Sequence, residues 1–285
     1  MRTTRSFVRS VALAALAVVL VPFAPTATAA TATPGSGYND WTCRPSQTHP
    51  EPVVLLHGLG SFQQQWTLQA PGIAKAGYCV FSLDYGANFT GLNGEAPVEQ
   101  SGTEIAAFVD KVRTATGADK VDIVGHSLGG FMALWLPKET DAAGHVDRVV
   151  ALAPPSHGTT LFGALTLIDG LGARSLLDTT LGTAGCQACV DLLAGGTAVG
   201  RLEDGGIAQP GVTYTVIATK HDEVVTPTSR AFIDEPGVRN YYIQDRCPLD
   251  PVGHFGIGFD LGTTSLILNG LDPSVPIKCG FGPPV

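Results

Sequence analysis

The chain has 285 residues, enough for one large α/β domain or two small ones. Hydrophobic residues make up 44% and charged residues 15%, which excludes disorder as the main state. The net charge is −8 with only 17 Lys and Arg, which argues against a nucleic-acid protein, and 35 glycines with 20 prolines are too many for a helical bundle.

Arg2, Arg5 and Arg9 precede an apolar run, Val11 to Ala24, that is short for a membrane span. Ala27-Thr28-Ala29 then offers the small residues of a cleavage site. Residues 1–29 are therefore expected to be a signal peptide of the general secretory route, with an uncleaved anchor helix as the alternative. Its removal takes three arginines and no acids, so the net charge falls from −8 to −11 over the remaining 256 residues. No later apolar stretch is long enough to span a bilayer, and the protein is expected to be extracellular without a stable membrane anchor.

Residues 30–52 are rich in Thr, Pro, Gly and Ser and form an extended leader before a catalytic domain at 53–285. Strands are expected at Val53–His57, Cys79–Tyr85, Val121–His126, Val146–Ala153, Val212–Thr219 and Val238–Asp245. Several are near-continuous apolar runs, the pattern of parallel strands covered on both faces. Gln65 to Ala76 forms a poor helix interrupted by Pro71-Gly72. Ser101 and Glu104 have capping-box spacing, and Ile105, Phe108, Val109 and Val112 follow at helical spacing to a stop at Gly117. A further helix runs through Gly130–Leu136. The β-α-β-α-β order predicts a doubly wound, mostly parallel sheet with helices on both faces. Between Ala153 and Val212 the pattern loosens into short fragments at Leu161–Ile168 and Cys189–Ala194. This cap-like insertion, 156–210, is placed over the C-terminal edge of the sheet, where loops form binding sites; a purely structural excursion is the alternative.

All six cysteines, Cys43, Cys79, Cys186, Cys189, Cys247 and Cys279, lie beyond the signal segment. An even count in an exported chain predicts three disulfides, and counting alone leaves 15 connectivities open. Cys186-x-x-Cys189 lacks the βαβ context of a redox pair, and zinc would want a second such pair. Asp191, Glu203 and Asp204 lack the spacing of a calcium loop, so no metal is expected.

Gly125-His126-Ser127-Leu128-Gly129 ends one predicted strand and opens a helix, the setting of a G-x-S-x-G nucleophile elbow. The strained turn points the Ser127 hydroxyl clear of the sheet, and side chains at the flanking positions would strike the neighbouring strand and helix. A serine hydroxyl needs a base, and the base an orienting acid. In chain order the acid follows the fifth strand, where Asp222 and Glu223 stand, with Asp245 and Asp250 as further alternatives. The base follows the last strand, and His254 is the one histidine beyond it; His221 competes less well because it sits beside the acid strand. His157 follows another strand end and is a candidate pocket residue, and His126 is expected to support the turn or line the site. Oxyanion donors are expected from the backbone N–H groups of Leu128 and of Leu59, in the loop His57-Gly58-Leu59-Gly60.

These motifs together with His221-Asp-Glu-Val-Val-Thr-Pro227, Gly253-His254, Asn39-Asp-Trp-Thr-Cys43, Gly77-Tyr-Cys-Val-Phe81 and Gln244-Asp-Arg-Cys-Pro-Leu249 resemble the secreted actinobacterial lipases of the class 2 lipase group, within the α/β hydrolases. The resemblance covers most of residues 38–279 and is weakest over Thr159–Gly206. It implies an α/β-hydrolase fold, hydrolysis of triacylglycerol or other carboxylic esters without a cofactor, and Asp222 as the acid. It also implies the pairs Cys43–Cys79, Cys186–Cys189 and Cys247–Cys279. Leu59, Phe62 and Trp66, then Leu161, Phe162, Leu165, Leu167 and Ile168, then Phe255 and Ile257, bring apolar side chains to one end of the sheet. They point to a water-insoluble acyl ester met at an interface by a monomer, although packing of the insertion is an alternative use for them. A polyester or cutin hydrolase, a short-chain carboxylesterase or acyltransferase, and a binding protein on the same fold are the competing readings.

Overall fold

The computed structural model describes residues 38–285; the expected signal peptide and residues 30–37 of the leader lie outside them. Six strands, β1 (Val53–Leu56), β2 (Val80–Ser82), β3 (Val121–His126), β4 (Val146–Leu152), β5 (Thr213–Ala218) and β6 (Val238–Tyr242), form one sheet in the order β2-β1-β3-β4-β5-β6. Every pairing is parallel. The chain reverses its winding direction between β1 and β3, so the loops leaving these two strands part to opposite sides and leave a crevice at their carboxyl ends.

The strands are apolar throughout because both faces are covered. Val54 and Leu56 of β1 join one core, beneath α2 (Val98–Thr116) and α3 (Leu128–Glu139). Val53 and Leu55 point the other way, into a core completed by α1 (Ala70–Lys75) and the last helix. α3 is buried from Leu128 to Pro137, since α2 covers its outer side. The expected capping box at Ser101 and Glu104 does not form. α2 begins earlier, at Val98 behind Pro97, and the Asp191 carboxylate accepts the Val98 N–H at 3.1 Å in place of a local cap. Glu104 reaches the Gly86 N–H instead, at 2.8 Å, while the buried Ser101 hydroxyl makes no hydrogen bond. Gly117 ends α2 at φ 77°, a left-handed cap that glycine adopts without penalty.

The segment between β4 and β5 carries four short helices: α4 (Ala164–Gly170), α5 (Arg174–Thr183), α6 (Gln187–Asp191) and α7 (Thr197–Glu203). α4 buries only Leu165 and α5 buries nothing, whereas α7 packs Val199 and Leu202 into the main core. α7 is held further by Lys138, whose ammonium donates to the carbonyls of Leu202, Asp204 and Gly206 at the helix end. A single turn, α8 (Ile243–Arg246), follows β6 where the sequence predicted a longer strand, and α9 (Thr263–Leu271) closes the second core. Helices α5, α7 and α9 carry no strong start signal and were not expected from the sequence.

The disulfides are Cys43–Cys79, Cys186–Cys189 and Cys247–Cys279. The first fastens the leader along the outer edge of β2, where the Asn39 N–H donates to the Val80 carbonyl at 2.8 Å and shields that edge. The last ties the tail to the loop after β6. No helix among the described residues is long and apolar enough to cross a membrane.

Candidate active site

β3 ends in a turn too sharp for ordinary residues. Ser127 sits at φ 57° and ψ −123°, a conformation kept only where its surroundings enforce it. The enforcement comes from both flanking glycines. A Cβ on Gly125 would lie 2.0 Å from the Gly129 carbonyl oxygen, and one on Gly129 would lie 2.1 Å from the Leu56 carbonyl oxygen of β1. The elbow therefore presses against β1, and the Ser127 side chain stands at the carboxyl end of the sheet at the start of α3.

His254 and Asp222 meet Ser127 there. His254 Nε2 lies 2.8 Å from Ser127 Oγ, and His254 Nδ1 lies 2.9 Å from Asp222 Oδ2. The His254 and Asp222 side chains are each 1% exposed. A buried carboxylate needs partners, and Asp222 Oδ1 also accepts the N–H groups of Val224 at 2.9 Å and Val225 at 2.7 Å. The Asp222 acceptor calls for a proton on Nδ1, which leaves the Nε2 lone pair facing the serine hydroxyl. Glu223 does not touch the imidazole; its Oε2 accepts the His254 backbone N–H at 3.0 Å. The two loops are further joined by a bridge between His221 and Gly253, and the His221 side chain is exposed.

The loop after β1 lies against Ser127: a Cβ on Gly58 would sit 3.3 Å from Ser127 Cβ. His57 is fully buried and stacks on Tyr85 with ring centroids 4.3 Å apart. Its Nδ1 donates to the Gly58 carbonyl at 2.8 Å and so fixes the plane of the Gly58–Leu59 peptide. Burial lowers the His57 pKa, against the hydrogen bond to the Gly58 carbonyl and the nearby Asp84 carboxylate, which both raise it. Gly58, Gly60 and Ser61 donate their N–H groups to other acceptors, while the Leu59 N–H has no acceptor among the described residues. The Leu128 N–H is the first of α3 and has no partner within its helix. Both expected oxyanion donors are thus open. A cavity of about 960 Å³ adjoins Ser127 and His254, walled mainly by apolar side chains such as Leu59, Leu161, Leu192 and Phe255.

Residues 51–175 match the family described as alpha/beta hydrolase fold. Aspergillus fumigatus lipase B superposes with a TM-score of 0.60 at 20% identity, over 82% of this chain and 54% of that one. The mature Bacillus licheniformis lipase BlEst2 superposes with a TM-score of 0.55 at 20% identity, over 82% and 95%. The chain has the α/β-hydrolase fold. Among curated proteins, a triacylglycerol lipase of Pseudarthrobacter phenanthrenivorans is 32% identical over 96 residues, 30% of this chain and 27% of that protein. A dihydrolipoyllysine-residue acetyltransferase component of the acetoin cleaving system, from Cupriavidus necator, is 29% identical over 119 residues, 41% and 30%. The chain spans about half the length, or less, of these curated relatives.

Several expected site residues take other places. Trp66, Leu165 and Ile257 are buried in packing contacts rather than in the cavity wall, because each faces the body of the molecule. His157 turns away from the cavity. Its Nδ1 lies 2.6 Å from Glu203 Oε1 of α7, and its Nε2 lies 3.0 Å from the Phe232 carbonyl. Leu181, Leu192, Leu193 and Phe259 line the cavity without any local motif that could have flagged them. Gln65 was missed for the same reason. Its Oε1 accepts the Gly58 N–H at 3.0 Å and its amide nitrogen lies 3.0 Å from His126 Nδ1.

Proposed function

We propose that the protein is a secreted serine ester hydrolase acting on water-insoluble acyl esters, triacylglycerol foremost. The observation that carries this reading is the continuous Ser127–His254–Asp222 hydrogen-bonded line at the floor of an apolar cavity. His254 Nε2 takes the Ser127 proton as Oγ attacks the ester carbonyl, and Asp222 stabilises the imidazolium that forms. The Leu59 and Leu128 N–H groups receive the oxyanion. His254 then protonates the departing alcohol, and water, deprotonated by the same nitrogen, releases the acid from the acyl-serine. Acyl transfer of this kind uses no cofactor.

The apolar wall favours an acyl chain over a charged or sugar substrate. On the cap, Phe162, Leu167, Leu171 and Leu176 are between 66% and 74% exposed, a grouping suited to an apolar substrate surface. The named lipases among the relatives and structural neighbours agree with a lipolytic reading. Three disulfides and the predicted signal segment support export.

The test combines a fluorophosphonate probe with rates on tributyrin, emulsified long-chain triacylglycerol, a polyester film and a soluble short-chain ester. The wild type is expected to take the probe at Ser127 and to hydrolyse the emulsion with little dependence on salt. Ser127→Ala is expected to fold and to lose roughly 10⁴-fold or more in kcat. Activity confined to the soluble ester removes the lipase reading and leaves a carboxylesterase; an active Ser127→Ala variant removes Ser127 as nucleophile.

A further inference from the structure

We infer that Gln65 and His126 are positioning residues that couple the oxyanion loop to the base: one directed hydrogen-bond relay runs from the Gly58 N–H through both side chains to the His254 carbonyl. The inference rests on the proposed roles of Ser127, His254 and Leu59. Three contacts make the relay. Gly58 N lies 3.0 Å from Gln65 Oε1, Gln65 Nε2 lies 3.0 Å from His126 Nδ1, and His126 Nε2 lies 3.0 Å from the His254 carbonyl oxygen.

The two ends dictate its direction. A backbone N–H can only donate, so the Gln65 oxygen accepts and the Gln65 amide must donate to His126 Nδ1. A carbonyl can only accept, so His126 Nε2 carries the proton. Both demands are met by one amide orientation and one neutral tautomer. The imidazolium form would place a proton on Nδ1 facing the Gln65 amide hydrogens. Burial, and the His254 ring 5.0 Å away between centroids, push the His126 pKa down to about 3, so the neutral form persists through the range in which a serine hydrolase works.

The elements joined by the relay are the ones whose relative placement decides acyl transfer. Gln65 stands in the short helical segment Gln63–Thr67 that follows the oxyanion loop. His126 is the residue before the nucleophile, and the carbonyl it holds belongs to the base. Glu223 holds the N–H of the same residue, so His254 is gripped by its backbone on both sides. A shift of the Gly58–Leu59 peptide relative to His254 would misplace the oxyanion donor against the base while leaving the part of the cavity wall formed by Leu161, Leu192 and Leu193 in place. The expected signature is therefore a loss in kcat with little change in KM, since a misplacement of about 1 Å costs on the order of 100-fold.

The experiment is a double-mutant cycle on hydrolysis of a soluble chromogenic ester, with probe labelling and thermal melts on every variant. Gln65 is half-buried, so Gln65→Leu is expected to fold, with kcat about 10- to 100-fold lower and KM within about threefold. His126→Leu is expected to lose a similar factor, and the double variant no more than about threefold beyond the worse single, because both substitutions cut the same line. Gln65→Glu keeps the acceptor for Gly58 but cannot donate to Nδ1; it is expected to behave like Gln65→Leu. If His126→Leu fails to fold, Gln65→Leu and Gln65→Glu decide alone. Losses that multiply, an effect confined to KM, or full kcat in Gln65→Glu overturns the relay while leaving the hydrolase reading intact. A wild type that neither turns over the ester nor takes the probe overturns the hydrolase reading and the relay with it.

Discussion

Asp222 and Glu223 are chain neighbours with opposite assignments, and one bond separates them. The Asp222 carboxylate accepts from the His254 ring and from two backbone N–H groups, while Glu223 accepts only the His254 backbone N–H. An amide at position 222 can turn its NH₂ toward Nδ1, which then becomes the acceptor and leaves a proton on Nε2, where the serine hydroxyl needs a lone pair. Asp222→Asn is expected to lower kcat by roughly 10⁴ with the fold retained. Glu223→Gln keeps an oxygen for the His254 N–H and is expected to stay within about tenfold of wild type. Steady-state rates on one soluble ester rank the two, and the reverse order would move the orienting role to Glu223. The chain order of strand ends was legible in the sequence and placed both acids in the right loop. It could not say which carboxylate faces the imidazole, because that depends on the turn Asp222 makes with Val224 and Val225.

At the scale of elements, the elbow works because β1, β3 and α3 cross without side chains between them. Gly129 carries that crossing. A methyl group there would meet the Leu56 carbonyl oxygen at 2.1 Å and the His57 carbonyl oxygen at 2.6 Å, backbone atoms of a central strand that cannot give way. Gly129→Ala is expected to destabilise the protein by ~3 kcal/mol or more, or to prevent folding. Gly144, whose added Cβ meets nothing within 4 Å, is the control, and Gly144→Ala is expected to change stability by less than about 1 kcal/mol. Urea unfolding of the two variants compares them, and equal stabilities would contradict a tight crossing. The glycine spacing made this crossing legible in the sequence. The start of α2 was not legible, since its cap is Asp191, 93 residues away in the chain. Helices α5, α7 and α9 were missed because their ends lack the local signals that announce a helix.

For the whole molecule, the tail beyond α9 closes over the His254 loop. Cys279 is bonded to Cys247, the Gly282 N–H donates to Asp250 Oδ1 at 3.1 Å, and the Gly253 N–H donates to the Pro283 carbonyl at 3.0 Å. The His254 loop is thus held between the sheet and the tail. The Cys43–Cys79 bond lies at the far edge strand, away from the chemistry. The two cross-links close loops of similar length, with separations of 32 and 36 residues, and each is worth ~3–4 kcal/mol by chain entropy. Removing either pair with serines is expected to lower the melting temperature by a similar amount. Only Cys247→Ser with Cys279→Ser is expected to lower kcat below the melting transition as well. Equal kcat for the two paired variants would show that the tail does not position His254. Thiol titration of the denatured, unreduced wild type is expected to find no free thiol, in line with the even cysteine count.

The sequence by itself determined the alternation of strands and helices, the elbow at Ser127 and the chain order Ser127, Asp222, His254, each at a strand end. Each of these is written locally, as an apolar run, a glycine pair or a residue at a strand end, and backbone sterics read such signals without distant help. The tertiary structure decided which residues complete the site. Only the folded sheet brings the loops after β1, β3, β5 and β6 to one crevice, and only there does Gln65, which no motif marks, find Gly58 on one side and His126 on the other. The cavity wall has the same origin, since Leu181, Leu192 and Phe259 become neighbours through long-range packing. Hydrogen-bond partners and cavity walls are matters of a few ångströms in space, and a chain pattern carries no such distances between residues far apart in sequence.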